Sequence, residues 1–365
     1  MIDLRELTIE EMKQFASDIG EKPFRGKQLY KWVSRGVTEF DDMTDFSKEL
    51  RTRLNSCAFV GKTAILDVQK DSQDGTCKFL YGLDEKVRQR GQSPLSQKVG
   101  QRGLSPLSQN AVEGVFMKYK YGNTLCISSQ VGCRMGCRFC ASALGGFVRN
   151  LTAGEMLGQI MAAEEYTGEH ISHIVVMGMG EPFDNYENLA KFLRLLHEPE
   201  GRNMSYRNMT VSTCGLIPKM KQFAEEFPQV NLAISLHRAD ETRSEIMPVN
   251  RKYPVDEVLQ TAREISSKTG RRITFEYALI RGENDRPADI ETLTRKLRGM
   301  LCHVNLIPLN KVEETGYEGT ARSRAQEIAA QLENAGIPAT VRRELGSEID
   351  GACGQLRLRA EQKNT

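Results

Sequence analysis

Two changes of rhythm divide the hydrophobic pattern of the chain. Over residues 1 to about 56 the apolar positions fall at helical spacing: Leu29, Trp32 and Val33 form one such set behind PFRGKQ, and a further helix is expected around Phe46 to Leu54. Alternation takes over in AFVGKTAILDV and TCKFLYGL, two strand-like pieces joined by the turn KDSQDG. From about residue 123 short apolar runs alternate with amphipathic segments. NTLCISSQV, ISHIVVMGMG, MTVSTCG, NLAISLH, RITFEYALI, HVNLIPLN and PATVRRE read as strands, each separated from the next by a helix-like stretch. The first of these helices, TAGEMLGQIMAAEEYTG, opens with a capping box of Thr152 and Glu155. Strands that are apolar throughout and separated by helices imply a parallel sheet covered on its outside. Six or more such units in about 220 residues predict a barrel or partial barrel, with its chemistry at the carboxyl ends of the strands.

Composition narrows the class. Of 365 residues, 39% are hydrophobic and 27% charged, as in soluble globular proteins, and the longest apolar runs are strand-sized, so no membrane span is expected. The amino terminus, MIDLRELTIEEMKQF, lacks the apolar core of a secretory signal. Nine cysteines, an odd number, argue against a disulfide framework, and three of them within eight residues read as a metal or cluster site in a reducing, cytoplasmic setting. A net charge of +2 excludes a globally basic surface. Locally, residues 86–150 carry ten Lys or Arg and the single acid Glu113, either a solvated loop or a stripe that attracts phosphates. Within it QRGQSPLSQKVG (89–100) is followed by QRGLSPLSQNAV (101–112), a tandem repeat too short and polar to stack, read as an exposed insertion.

The strongest chemical signal is Cys133-Arg-Met-Gly-Cys137-Arg-Phe-Cys140, just after the first barrel strand. Three thiolates can hold three irons of a 4Fe-4S cube and leave the fourth open. Zinc wants four ligands, and no nearby His or Cys completes such a set. Gly178-Met-Gly180-Glu181-Pro182 ends the second strand, either as a tight turn or as a place where backbone approaches a ligand. Ser212, Ser235-Leu236-His237 and Asn310 end three further strands at the same mouth; each alone is an ordinary polar strand end, and His237 also fits a satisfied structural histidine. Cys353, between Ala352 and Gly354, sits in a flexible setting near the carboxyl terminus or is a buried small residue. Glu113 by itself reads as a surface carboxylate balancing Lys118 and Lys120.

Taken in order and spacing, CISSQVGCRMGCRFCAS, GMGEP, VSTCGL, AISLH, NLIPLN and ACGQL resemble the RlmN/Cfr family of radical S-adenosylmethionine (SAM) RNA adenine methyltransferases, and within it the RlmN branch. The likeness covers nearly the whole chain, and the tandem repeat is its one departure. It implies a partial (β/α)6-type radical SAM barrel over residues 123–345 and a helical, RNA-binding accessory domain over 1–56. A β linker over 57–122 carries the insertion at 89–112, and a tail over 346–365 carries Cys353. The cofactors implied are one 4Fe-4S cluster on Cys133, Cys137 and Cys140, and two SAM per turnover, held by Gly180, Glu181, Ser212, Ser235, Leu236, His237 and Asn310.

The reaction implied puts a methyl group on C2 of an adenine. Cys353 is methylated by one SAM, a second SAM yields a 5′-deoxyadenosyl radical that activates the methyl group, and the carbon adds to C2. Glu113 takes the C2 proton and Cys126 resolves the adduct as a Cys126–Cys353 disulfide. The implied substrates are 23S rRNA near the peptidyl-transferase centre and tRNA beside the anticodon, with an external electron donor of flavodoxin or ferredoxin type. Phe116, Tyr119 and Tyr121 among the lysines fit base stacking or a strand's core face, and Arg25, Lys27 and Lys31 offer a second RNA contact. Three readings compete: C8 methylation of the Cfr type, a radical SAM core used for another radical reaction with Cys353 merely structural, and a non-catalytic RNA-binding protein stiffened by a metal.

Overall fold

The computed structural model describes residues 1–83, 110–310, 315–343 and 349. Cys353 and most of the tandem repeat lie outside the described residues.

The chain begins with a short strand, β1 (Ile2–Asp3), and three helices, α1 (Ile9–Asp18), α2 (Pro23–Ser34) and α3 (Lys48–Cys57), after which β2 (Ala58–Phe59) pairs back onto β1. Thr8 and Glu11 close a capping box on α1, Pro23 starts α2 at a position where its missing N–H costs nothing, and Ser47 caps α3. Gly26 lets α2 cross α1 closely, since a Cβ there would stand 2.4 Å from Met12 O. The buried faces of these helices, among them Met12, Leu29 and Leu54, are continuous with the barrel core. Polar ties reinforce the contact: Glu6 accepts the Gly154 N–H at 3.0 Å, and Lys191 pairs with Glu11 at 2.9 Å.

Three antiparallel strands follow, β3 (Ala64–Lys70), β4 (Cys77–Gly82) and β5 (Ala111–Tyr119), and β5 pairs with β6 (Gly122–Ile127), the first strand of the barrel. Residues 58–68, expected as one strand, divide into β2 and β3 around the loop that Gly61 allows to pack on Arg5 and Asp3. Ala111 and Val112, the last residues of the second repeat copy, belong to β5: they pair with Gly82 and Tyr81, and Val112 is fully buried. The insertion therefore ends before the strand, and Asn110 closes its base by donating to Leu83 O at 2.7 Å.

After β6 the chain leaves the main sheet for a small hairpin, β7 (Gln130–Gly132) with β8 (Phe147–Asn150), which encloses the short helix α4 (Ala141–Leu144). Regular alternation then follows: α5 (Ala153–Thr167), β9 (His173–Val176), α6 (Tyr186–His197), β10 (Met209–Thr213), α7 (Ile217–Glu226), β11 (Asn231–Ser235), α8 (Arg243–Ile246), α9 (Val255–Thr269), β12 (Ile273–Leu279), α10 (Pro287–Leu297), β13 (Cys302–Pro308), α11 (Arg322–Asn334) and β14 (Ala339–Val341). The predicted capping box on α5 is present. The sheet runs β14-β13-β12-β11-β10-β9-β6-β5-β4-β3, parallel from β14 to β6 and antiparallel beyond. Six strand–helix units thus form an open barrel, with β14 as an added edge strand. Apolar strand residues such as Ile174, Val211, Ile234 and Phe275 are fully buried, as the patterning requires.

Candidate active site

The hairpin β7–β8 exists because Ser128 and Ser129 do not continue β6. Ser128 N–H donates to the Gln159 side chain at 3.0 Å, and its hydroxyl bridges Glu113 O (2.6 Å) and Met179 N (2.8 Å). The expected strand NTLCISSQV is therefore two strands with a hydrogen-bonded step between them. Gln130 secures the hairpin, donating to Asn150 and Asp184 and accepting the Glu181 N–H at 2.8 Å. Cys133, Cys137 and Cys140 sit on the loop at its tip, each half-buried and free of disulfide. Arg138 N–H, inside that loop, donates to Ile246 O of α8 at 2.9 Å. Cys137 and Phe139 pack on Cys214, Ile246 and Met247, an apolar wall behind the loop. Burial pushes the Cys133 thiol up to about 12, against a hydrogen bond from the Met135 N–H, and the Cys137 thiol higher still, and the neighbouring cysteine sulfurs add to both shifts.

The turn after β9 is shaped by two glycines. Gly178 has no room for a side chain, since a Cβ would meet Ile127 O at 2.7 Å, and Gly180 has φ +103° with Gln130 against it. Glu181 is buried, and its carboxylate accepts the N–H groups of Cys214 (2.8 Å) and Phe183 (3.0 Å), tying this turn to the end of β10. Burial pushes its pKa up against those hydrogen bonds. Ser212 and Ser235 meet across β10 and β11 with their hydroxyls 3.3 Å apart. Leu236 is fully buried and presents its carbonyl to Arg243. His237 has φ +54°. Its Nδ1 accepts the Ala278 N–H at 2.9 Å, so the neutral ring carries its proton on Nε2. Burial, with the Arg243 charge, pushes its pKa down to about 3.

These strand ends open on a cavity of about 280 Å³ lined by Glu113, Cys126, Cys140, His237, Asn310 and Arg342, among others. Glu113 is buried, not a surface carboxylate, and its Oε2 lies 3.1 Å from Lys78 Nζ, itself buried on β4. Burial pushes the Cys126 thiol up, while the Arg342 and Lys78 charges draw it back. The structure thus brings Glu113, Cys126, Cys140, His237 and Asn310 to one cavity, with Glu181, Ser212, Ser235 and Leu236 at the adjoining strand ends. Lys78, Gln130, Arg243 and Arg342 escaped the sequence reading. Lys78 alone left a trace, a lone charge in the otherwise apolar strand TCKFLYG.

The basic stripe is largely neutralised where it is described. Lys118 pairs with Glu169, Arg134 with Asp184 at 2.8 Å, and Arg149 bidentately with Glu155 at 2.7 Å. Phe116 is core, and Tyr119 and Tyr121 stack on each other at the β5–β6 turn. Lys27 and Lys31 both reach Glu200, at 2.6 and 3.1 Å, and Arg25 lies against Phe24 and Phe46.

The donor set fits an iron–sulfur cube. Among the described residues no three His, Cys, Asp or Glu side chains converge on one metal ion, as zinc requires. Three soft sulfurs spaced along one loop instead suit three separate corners of a cluster. An open six-unit barrel with such a loop after its first strand is the architecture of a radical SAM enzyme, and the Radical SAM superfamily matches residues 127–294. Residues 2–60 match the ribosomal RNA large subunit methyltransferase N-terminal domain. The chain is 47% identical over 359 residues to the probable dual-specificity RNA methyltransferase RlmN of Caldanaerobacter subterraneus subsp. tengcongensis, with 98% of each chain covered. It is 44% identical over 365 residues to the protein of the same description from Desulforamulus reducens, covering 100% of this chain and 98% of that one. A crystal structure of a radical SAM methyltransferase from Sphaerobacter thermophilus superposes with a TM-score of 0.86 at 40% identity, covering 97% of this chain and 99% of that one. The chain belongs to the RlmN family of radical SAM RNA methyltransferases, and its cofactors are a 4Fe-4S cluster and SAM.

Proposed function

We propose that this chain methylates C2 of adenosine in two RNAs, 23S rRNA near the peptidyl-transferase centre and tRNA beside the anticodon. The dual specificity in its relatives' names supports the pair of substrates. The observation that carries the reading is the meeting of Glu113, Cys126 and the cluster-loop residue Cys140 on one cavity. The chain leaves that cavity at Arg342 with Cys353 eleven residues further on, a tether that spans up to roughly 36 Å when extended.

In this reading the thiols of Cys133, Cys137 and Cys140 hold the cluster. The polar groups of Ser212, Ser235, His237 and Asn310, with the backbone of Gly180, Glu181 and Leu236, line the SAM site. When bound, cluster and SAM supply a one-electron cleavage that starts the reaction. Cys353 carries the methyl carbon to the base as a carbon radical; after it adds to C2 the adduct gives up one electron, returned to the cluster, and Glu113 accepts the proton from C2. Cys126, as thiolate, attacks Cys353 Sγ; the S–S bond forms, the S–CH2 bond breaks, and its electron pair passes to the carbon, which takes up a proton and leaves as methyl. The disulfide is then reduced by exchange with an external dithiol, which is itself oxidised to a disulfide, in a cytoplasmic setting, with electrons for the cluster from a flavodoxin or ferredoxin. No helix among the described residues is long and apolar enough to cross a membrane.

Trapping tests this. Cys126→Ala is expected to stall with RNA covalently attached to the protein, and Cys353→Ala to form neither adduct nor methylated base. Methylation by Cys353→Ala at the rate of the unaltered chain overturns the carrier role.

A further inference from the structure

Arg243 is the largest fully buried side chain among the described residues. Its hydrogen bonds go to neutral acceptors: Nε to Leu236 O at 2.9 Å, Nη2 to Cys214 O at 2.7 Å and Ser235 O at 2.9 Å, and Nη1 to Asn250 Oδ1 at 3.3 Å. No carboxylate among the described residues forms an ion pair with it, whereas the other buried arginines described, Arg5, Arg149 and Arg238, each have at least one. A guanidinium sealed from water and facing carbonyl dipoles keeps its charge at a high desolvation cost unless an anion stands nearby.

The position of Arg243 shows where that anion belongs. It begins α8, the helix whose Ile246 carbonyl receives the Arg138 N–H of the cysteine loop and whose side chains form the wall behind Cys137. Its charge acts on the Cys137 and Cys214 sulfurs. A 4Fe-4S core held by three thiolates is anionic, and gains a further negative charge on reduction. With four of its five N–H groups spent on protein acceptors, Arg243 lacks the two free donors that a bidentate grip on a carboxylate needs.

We infer that Arg243 is the resident counter-charge of the cluster, a positioning residue that makes the cluster easier to reduce. The electron comes from a one-electron donor of the flavodoxin or ferredoxin class; the cluster is reduced by one electron and Arg243 stays protonated throughout. The inference rests on the cluster assignment and not on which RNA or which adenine carbon is methylated.

The test is a redox titration, followed by electron paramagnetic resonance, of anaerobically reconstituted full-length chain with no RNA present. Arg243→Gln is expected to lower the ratio of reduced to oxidised cluster at a fixed potential at least tenfold, a shift of about 59 mV for a one-electron couple. Arg243→Lys, which keeps the charge but loses most of the carbonyl contacts, is expected to stay close to the unaltered chain. Arg243→Gln with full iron and an unchanged potential overturns the inference. So does an unchanged potential without SAM combined with weakened SAM binding, which makes Arg243 a carboxylate ligand. Should Arg243→Gln fail to load iron, Arg243→Lys decides: loading with the original potential supports the counter-charge, and failure alike assigns a purely structural role. An unaltered chain that binds no cluster refutes the class assignment itself, a result separable from both.

Discussion

Two glycines facing each other in the β7–β8 hairpin should respond very differently to alanine. Gly132 has φ +74°, and a Cβ there would stand 1.8 Å from Gly146 O. Gly146 has φ +64° and nothing within 4 Å of the same position. Both substitutions incur left-handed backbone strain of about 1–2 kcal/mol. Only Gly132→Ala must also push backbone apart by roughly 1.5 Å to restore an ordinary contact. That movement breaks the Cys133 N–H bond to Gly146 O, now 3.1 Å, worth about 1 kcal/mol, and adds overpacking of about 1–3 kcal/mol. The expected cost is thus about 3–6 kcal/mol for Gly132→Ala and about 1–2 kcal/mol for Gly146→Ala. Because Cys133 follows Gly132 directly, the loss should fall on the cysteine loop. Iron and sulfide bound per chain after anaerobic reconstitution are the readout, with thermal melting alongside. Gly132→Ala should bind little iron and Gly146→Ala close to the full amount. Equal loading by both would refute the hairpin as the scaffold of the loop.

The buried Lys78–Glu113 pair predicts strong coupling: Lys78→Met alone should destabilise by about 3–5 kcal/mol. In denaturant unfolding the double variant Lys78→Met/Glu113→Gln should cost at least about 2 kcal/mol less than the two single changes added, and additive costs would show that the ion pair contributes nothing. His237, held near 3 in the folded chain against 6.5 unfolded, stabilises above pH 6.5 and loses that contribution as pH falls from 6.5 toward 3. His237→Asn tolerates the positive φ, keeps an acceptor for Ala278 N–H, and should flatten the pH dependence of stability between pH 6 and 4 by up to about 1.4 kcal/mol per pH unit; an unchanged slope would mean that His237 titrates alike in both states. Replacing residues 86–107 by a short turn should leave iron binding intact, whereas a deletion extended through Val112 removes two paired β5 residues and should abolish it; iron lost in the shorter deletion would make the insertion part of the fold.

Much of this architecture is legible in the chain because its signals are local. Apolar runs such as AISLH and NLIPLN need no knowledge of their neighbours to read as buried strands, and Thr152 with Glu155 announces α5 within four residues. The cysteine spacing is equally local. What escaped depends on partners far away in sequence. Lys78 meets Glu113 only because β4 and β5 pair across the insertion, and Arg243 reaches Cys214 and Leu236 only once β10 and β11 lie side by side. Nothing in ADETRSE distinguishes that arginine from a solvated one. Composition misplaced the end of the repeat for a similar reason: Ala111 and Val112 continue its text but complete the register with Gly82 and Tyr81. Interleaved lysines and aromatics likewise do not reveal which end of the barrel they decorate. The β5–β6 register puts Tyr119 opposite Gly122, at the turn between the strands.

The central claim is that the convergence of Glu113, Cys126 and the cysteine loop on one cavity serves methylation of an adenine at C2. Cluster-loaded protein incubated anaerobically with SAM, a reductant and unmodified 23S rRNA, followed by digestion and mass spectrometry of the nucleosides, tests it most directly. The account predicts 2-methyladenosine; 8-methyladenosine, or no methylated adenosine from fully loaded protein, would contradict it.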